Sequence, residues 1–190
     1  MRLNDIVFLF IPLLVTCQEA KDTEIWGPIP QEVYSISDSA PPTDAIILFD
    51  GSDLSKWKAK WSESETKWQI NNDGSVSVVN DGSGGIETLE NFGSVQLHIE
   101  WKTSEDTSHQ NQDRSNSGVF LQGIYEIQIL DSYKSSTYVN GQAGSVYKQY
   151  IPLVNASRKP GEWQSYDIIF DAPDFDSDGK KIKSGYFTVF

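Results

Sequence analysis

The pattern of apolar and polar positions reads as strand after strand. The longest alternation is "FGSVQLHIEWKT", residues 92–103. Val95, Leu97, Ile99 and Trp101 fall on one face and Gln96, His98, Glu100 and Lys102 on the other, the two-residue period of an extended chain. Before it, residues 45–49 form a short apolar run closed by Asp50-Gly51. Residues 67–70 lead into the turn Asn71-Asn72-Asp73-Gly74, and residues 75–79 alternate before a second turn over 80–85. After it, a polar loop over 104–115 leads to runs over 118–122, 125–130, 145–147 and 162–170. No stretch carries the 3.6-residue period of an amphipathic helix. The pattern predicts an all-β protein, a two-sheet antiparallel β-sandwich of the jelly-roll kind.

Both ends depart from this rhythm. Arg2 is followed by a ten-residue apolar run over 6–15, too short to span a bilayer and of the length of a signal-peptide core. The run ends in Leu14-Val15-Thr16-Cys17, which resembles a lipoprotein box with Cys17 as the acylated residue. Cys17 is the only cysteine of the chain, so no disulfide can form within it. The expectation is a leader over 1–17 and an exported protein, periplasmic or anchored to the outer membrane, with membrane contact through that lipid alone. Residues 18–44 are rich in Pro, Ser and acids and read as a linker or N-terminal arm. The jelly-roll domain is expected over 45–190. It is read as truncated at its C-terminus, because the chain stops inside the alternating run "YFTVF" and an interrupted sheet leaves an open edge.

Composition narrows the chemistry. A net charge of −12 offers no basic stripe to neutralise phosphates, so nucleic acid is not an expected partner. Six Trp, eight Tyr and nine Phe supply apolar faces on which sugar rings can stack.

The candidate chemistry concentrates in "SNSGVFLQGIYEIQILDSY", residues 115–133. Alternation puts Glu126 and Gln128 on one face and Tyr125, Ile127 and Ile129 on the other. If this strand shares a sheet with 92–103, one open face carries His98, Glu100, Lys102, Glu126 and Gln128. Those groups can hold sugar hydroxyls or a metal; a merely solvated face is the competing reading. The spacing Glu126-x-Gln128-x-x-Asp131 resembles the E-x-D-x-x-E strand of laminarinase-type β-glucanases. Gln128, however, stands where a carboxyl is required for a two-carboxylate glycosidase. The stretch "DFDSDG", residues 174–179, opens like a calcium loop, but the twelfth position is Gly185 rather than Glu, and an acidic turn is expected there instead. His109, in the polar loop, is read as a surface histidine, the alternative being a loop that overhangs a site.

Taken in order, "LFDGSDLSKWK" (48–58), "LHIEWKT" (97–103), "NSGVFLQGIYEIQILDSY" (116–133), the run over 141–181 and the final "GYFTVF" resemble the 3-keto-disaccharide hydrolase family. The resemblance covers nearly everything from 46 to 190. It implies a concanavalin A-like jelly roll and cleavage of glycosides already oxidised at C3. The C3 ketone acidifies the C2 proton, a base removes it, and the C1 substituent leaves by elimination. Such a route needs a base, a stabiliser for the enediolate and, in many enzymes, a divalent metal as Lewis acid; no organic cofactor is implied. Carried over by position, Glu100, Asn116, Glu126, Gln128, Asp131, Tyr147 and Trp163 match the family's recurrent residues. Glu100 and Glu126 are assigned to a metal or to hydroxyls, and Glu126 also to the catalytic set. Gln128, Asn116, Tyr147 and Trp163 are assigned to the sugar, and Asp131 to an acid/base or structural role. His98 and Lys148 stand as alternative bases or enolate partners, and Asn116-Ser117-Gly118 as a tight approach at the strand start. The competing function is a non-catalytic carbohydrate-binding jelly roll.

Overall fold

The computed structural model describes residues 19–190 apart from 38, 39, 61, 62, 80, 81 and 83. The expected leader and Cys17 lie outside the described residues. The chain divides into two compact units, Met1–Ile47 and Leu48–Phe190. In the first, a short 3-10 turn spans Ala20–Thr23, and the backbone of Thr43 donates to the Tyr34 carbonyl (2.9 Å).

The second unit is all-β. Its strands are β1 (Trp57–Ala59), β2 (Gln69–Ile70), β3 (Val76–Ser77), β4 (Ile86–Thr88), β5 (Val95–Lys102), β6 (Ser117–Leu121), β7 (Tyr125–Ile129), β8 (Trp163–Asp171), β9 (Asp174–Phe175), β10 (Lys181–Lys183) and β11 (Tyr186–Val189). All named pairs are antiparallel: β1 with β4, β2 with β3, β6 with β7, β9 with β10, and the three-stranded order β11-β8-β5. The expected run over 45–49 is not a strand. The Ala45 N–H donates back to the Pro42 carbonyl (3.0 Å), and the Leu48 carbonyl accepts from the Trp57 indole N–H (2.8 Å). The segment over 145–147 is held by isolated bridges, Ile127 to Val146 and Val146 to Tyr150. The acidic stretch 174–179 is a hairpin turn, with Asp176 Oδ1 accepting from the backbones of Asp178 (3.1 Å) and Lys180 (2.9 Å).

Two layers face each other across one core. From β11-β8-β5 come Trp101, Tyr166, Ile168 and Phe170; from the β6–β7 hairpin come Leu121 and Ile127. Aromatic rings bridge the gap. Tyr125 of β7 lies 5.9 Å from Phe170 and 5.8 Å from Phe187, which stack on each other at 4.8 Å. Trp101 and Tyr166 sit 5.1 Å apart. Ile127 is wholly inaccessible to solvent, and burial of such a side chain stabilises the fold by about 1.5–3 kcal/mol. The expected sandwich is therefore present, with the alternation of β5 placing its apolar residues inward as the sequence requires. The β6–β7 reversal is tight because Gln122 (φ +51°) and Gly123 (φ +70°) both adopt the left-handed conformation that suits a short hairpin.

Candidate functional site

Because Ile127, Tyr125 and Leu121 point into the core, Glu126, Gln128, Gly118 and Phe120 point out of the sandwich on the opposite face of the hairpin. Gly118 pairs with Gln128 and Phe120 with Glu126. On the other edge of β7, segment 144–147 runs alongside. Gln128 N–H donates to Ser145 O (3.0 Å), Tyr147 N–H to Glu126 O (3.0 Å) and Gly144 N–H to Gln128 O (3.0 Å). The Val146 side chain packs on the core, which turns Tyr147 and Ser145 toward the same outer face. The site is thus two rows across adjacent backbones, Phe120–Glu126–Tyr147 and Gly118–Gln128–Ser145.

Although outward-facing, this surface is roofed. Gln128 is fully buried and Glu126 half-buried. The loop around Gln112 crosses over it and is tied to the 137–141 segment, the Gln112 amide nitrogen donating to Thr137 Oγ1 (2.9 Å) and to Gly141 O (3.0 Å). The opposite side of Gln128 is fixed from within, since its carbonyl also accepts from the Tyr166 hydroxyl (2.7 Å).

Glu126 is the ionisable centre. Burial pushes its carboxyl above the ordinary carboxylate range, and the Lys60 ammonium partly offsets this. Its carboxylate lies across Gly118. A Cβ there would stand 2.8 Å from Glu126 Cγ and 3.0 Å from its Cδ, so any side chain at 118 would displace the acid. The expected tight approach at the strand start is therefore an approach of the site's own carboxylate. Lys60 also lies 4.1 Å from the centre of the Phe120 ring. Beside Glu126, the hydroxyls of Tyr138 and Tyr147 are 2.5 Å apart. That bond, with burial and the nearby Glu126 charge, pushes the Tyr138 phenol up to about 12. Lys148 Nζ lies 5.4 Å from the Tyr147 ring centre and 5.7 Å from that of Tyr138. The Lys148 backbone is left-handed (φ +59°), and its N–H is anchored to Asn140 O (2.8 Å).

Of the residues singled out from sequence, Glu126, Gln128, Asn116, Tyr147 and Lys148 come together here. Asn116 is bonded to Gln128 (3.1 Å). Four others do not join them. His98, Glu100 and Trp163 project from the outer face of the opposite layer, because β5 and β8 turn Trp101, Tyr166 and Ile168 inward. There His98 Nδ1 meets Asp167 Oδ1 at 2.7 Å in an exposed pair, and Trp163 lies under Lys102, 4.9 Å from its ring centre. The shared sheet on which a joint His98/Glu100/Glu126 face depended does not exist, and Glu100 and Glu126 do not form one metal site. Among the described residues no group of three or more His, Cys, Asp or Glu is placed to hold a metal ion. Asp131 is the fourth. It is 2% exposed and its carboxylate is fully engaged, Oδ2 by Arg114 (Nε 2.9 Å, with Nη2 also in contact) and Oδ1 by Tyr133 N–H (3.1 Å). It braces the loop rather than acting as an acid or base.

Sequence reasoning missed Tyr138, Gln112, Lys60 and Phe120. Tyr138 had one available signal, an aromatic two residues before the Asn140-Gly141 turn in an otherwise polar segment. Gln112 and Lys60 had none. A polar cleft of about 300 Å³ adjoins Gln112, lined in part by His109, Gln110, Asn111, Arg114, Lys134 and Ser135, so His109 does border a concave surface.

Residues 44–184 match the family model described as the 3-keto-alpha-glucoside-1,2-lyase-like domain. Among solved structures, the chain is similar to a candidate glycosyl hydrolase from Parabacteroides distasonis ATCC 8503, determined at 2.13 Å. The two are 45% identical, with a TM-score of 0.84 over 90% of this chain and 74% of that one. A second candidate glycosyl hydrolase from the same organism, determined at 1.70 Å, is 20% identical with a TM-score of 0.51, over 74% of this chain and 71% of that one, and shares the fold. No curated protein matches the chain.

Proposed function

The chain belongs to the 3-keto-alpha-glucoside-1,2-lyase-like domain family, and from that premise we propose that it cleaves the glycosidic bond of 3-keto-glycosides with Glu126 as the base. The observation that carries the reading is a half-buried carboxylate with a raised pKa, seated over Gly118 beside two phenols and an ammonium. A base with such a pKa is better matched to proton transfer near neutral pH than an ordinary carboxylate.

In this reading Glu126 takes the C2 proton of the sugar, whose C–H bond is weakened by the adjacent C3 ketone. The electron pair moves toward the C3 oxygen as an enediolate, and then expels the C1 substituent. Water adds its hydroxyl at C1 of the resulting alkene, its other proton neutralises the expelled alkoxide as the free alcohol, and Glu126 returns its proton to C2, so the base ends as it began. The Tyr138–Tyr147 pair supports the developing oxyanion. Of its two hydroxyl protons one is used between the rings, leaving the other for the sugar oxygen, and the raised Tyr138 pKa keeps that phenol protonated. Lys148 adds positive charge on the same side.

A divalent cation belongs to the proposal only as a question for experiment, since the Glu100–Glu126 pair expected to bind it is split between two faces. Export, with lipidation at Cys17, is also proposed; the apolar run over 6–15 and the Leu-Val-Thr-Cys box support it. The deciding experiment is incubation with 3-keto-trehalose or 3-keto-lactose, with and without EDTA, alongside Glu126→Gln. Release of the second sugar by the parent and its loss in the variant are expected. No release by the parent overturns the reading, and release untouched by EDTA removes the metal alone.

A further inference from the structure

One polar group of the site is buried completely: the Gln128 amide. One amide terminus lies 3.1 Å from Asn116 Oδ1 and 3.4 Å from Gln112 Oε1. The other lies 3.1 Å from Glu126 Oε1 and 3.2 Å from the Ser117 carbonyl. Both ends therefore face acceptors, and a primary amide can satisfy only one such end with its NH2 group.

We propose that Gln128 is the positioning residue of this site: its NH2 faces Glu126 Oε1 and Ser117 O, holds Glu126 as a carboxylate and leaves Oε2 as the oxygen that takes a proton. The inference rests on the reading of Glu126 as the base. Three features decide the orientation. The Ser117 carbonyl is an acceptor at any pH, so an amide oxygen facing it at 3.2 Å is repelled. The ionised Glu126 strengthens the preference, because a bond to a charged acceptor is about twice as strong as a neutral one. At the far end the opposing contact is longer, 3.4 Å to Gln112, and the Asn116 amide can turn to present its own NH2 to the Gln128 oxygen.

The counter-pull is not negligible. Gln112 has its nitrogen committed to Thr137 and Gly141, which fixes its oxygen as an acceptor toward Gln128. When Glu126 gains a proton it becomes a donor. The Gln128 amide can then turn, accepting from Glu126 and donating to Gln112 and Asn116. The buried amide thus has one orientation for each protonation state of the acid, as a group that takes and later returns a proton requires. The charged and titratable groups facing Glu126 are Lys60 beyond β1, and Tyr138, Tyr147 and Lys148 along the roof. They are the same in the variants below and cancel in the comparison.

The test is a titration of the full chain labelled with 13Cδ-glutamate, read by NMR, with Glu126 assigned by the signal lost in Glu126→Gln. Gln128→Met removes the donor and is expected to raise the Glu126 midpoint by about one pH unit, a tenfold change in proton affinity. Gln112→Leu removes the opposing acceptor and is expected to lower that midpoint, the opposite sign. An unmoved midpoint, or both variants shifting it in one direction, overturns the proposal. Where one variant does not fold by far-UV circular dichroism, the sign seen in the other decides. A group that merely fills space would lower turnover in Gln128→Met at every pH while leaving the midpoint in place. The titration needs no keto-sugar. If the midpoints move as expected while Glu126→Gln retains sugar release, the base assignment falls and the amide's hold on the acid stands.

Discussion

The two outer faces of the sandwich carry the same kind of alternation and opposite kinds of surface. On β5 and β8 the polar residues stand in water: His98 and Asp167 pair at 2.7 Å with side chains about 60% exposed. On β7 the equivalent outward positions are roofed by two loops, so that Gln128 is fully buried and Glu126 half-buried. An exposed ion pair is worth little because water screens both charges. A covered carboxylate is shifted in pKa and can respond to single neighbours. In the proposed reading, reactivity comes from the roof and not from the pattern of the strand beneath it.

The sharpest way to break this contrast is one substitution on each face. Glu126→Gln is expected to reduce sugar release by about 10²–10⁴-fold, the span assigned to a positioned general base. Glu100→Gln on the other face should leave it unchanged, measured as initial rates on a 3-keto-disaccharide. Equal losses would erase the distinction. Next in size is the brace of the roof. Arg114→Ala leaves the buried Asp131 without its cationic partner, held only by the Tyr133 N–H, and is expected to destabilise the domain by about 3–5 kcal/mol, read from the urea midpoint. Gly118→Ala should keep the fold and cost roughly 10²-fold in turnover, the scale of a misplaced catalytic group, because its methyl meets Glu126 within 3.0 Å of Cδ.

Smaller still is a pH effect on stability. Burial raises the Glu126 pKa in the folded state. Its contribution to stability is therefore fully present below the unfolded value and lost as pH rises through the folded one. Glu126→Gln should accordingly melt higher than the parent at neutral pH, with the difference vanishing below the ordinary carboxylate range. Smallest of all, His98→Ala is expected to change stability by less than about 1 kcal/mol and activity not at all.

How much of this was legible in the chain follows from what alternation encodes. The period of β5 and β7 places Ile127 and Trp101 inward and Glu126 and His98 outward, and those assignments hold. Period 2 says nothing about which strands share a sheet, so joining His98 and Glu100 to Glu126 was a guess that pairing overturns. Nor does it say what covers a face. The roof is set by contacts of long sequence separation, such as Gln112 to Gly141, and those residues look like ordinary loop. Asp131 shows the same limit from the other side. Its spacing from Glu126 was visible, but the arginine that claims it lies 17 residues away.

Lys148 carries a cost of its own. Its left-handed backbone (φ +59°) is a conformation that costs a residue with a side chain roughly 1–2 kcal/mol and costs glycine almost nothing. A breeder selecting only for thermal robustness would therefore install glycine at 148 early and gain by it. The same step would strip the ammonium from above the two phenols. On the proposed role of Lys148, heat resistance and turnover pull in opposite directions at this position, and a library sorted separately on each trait should diverge first here.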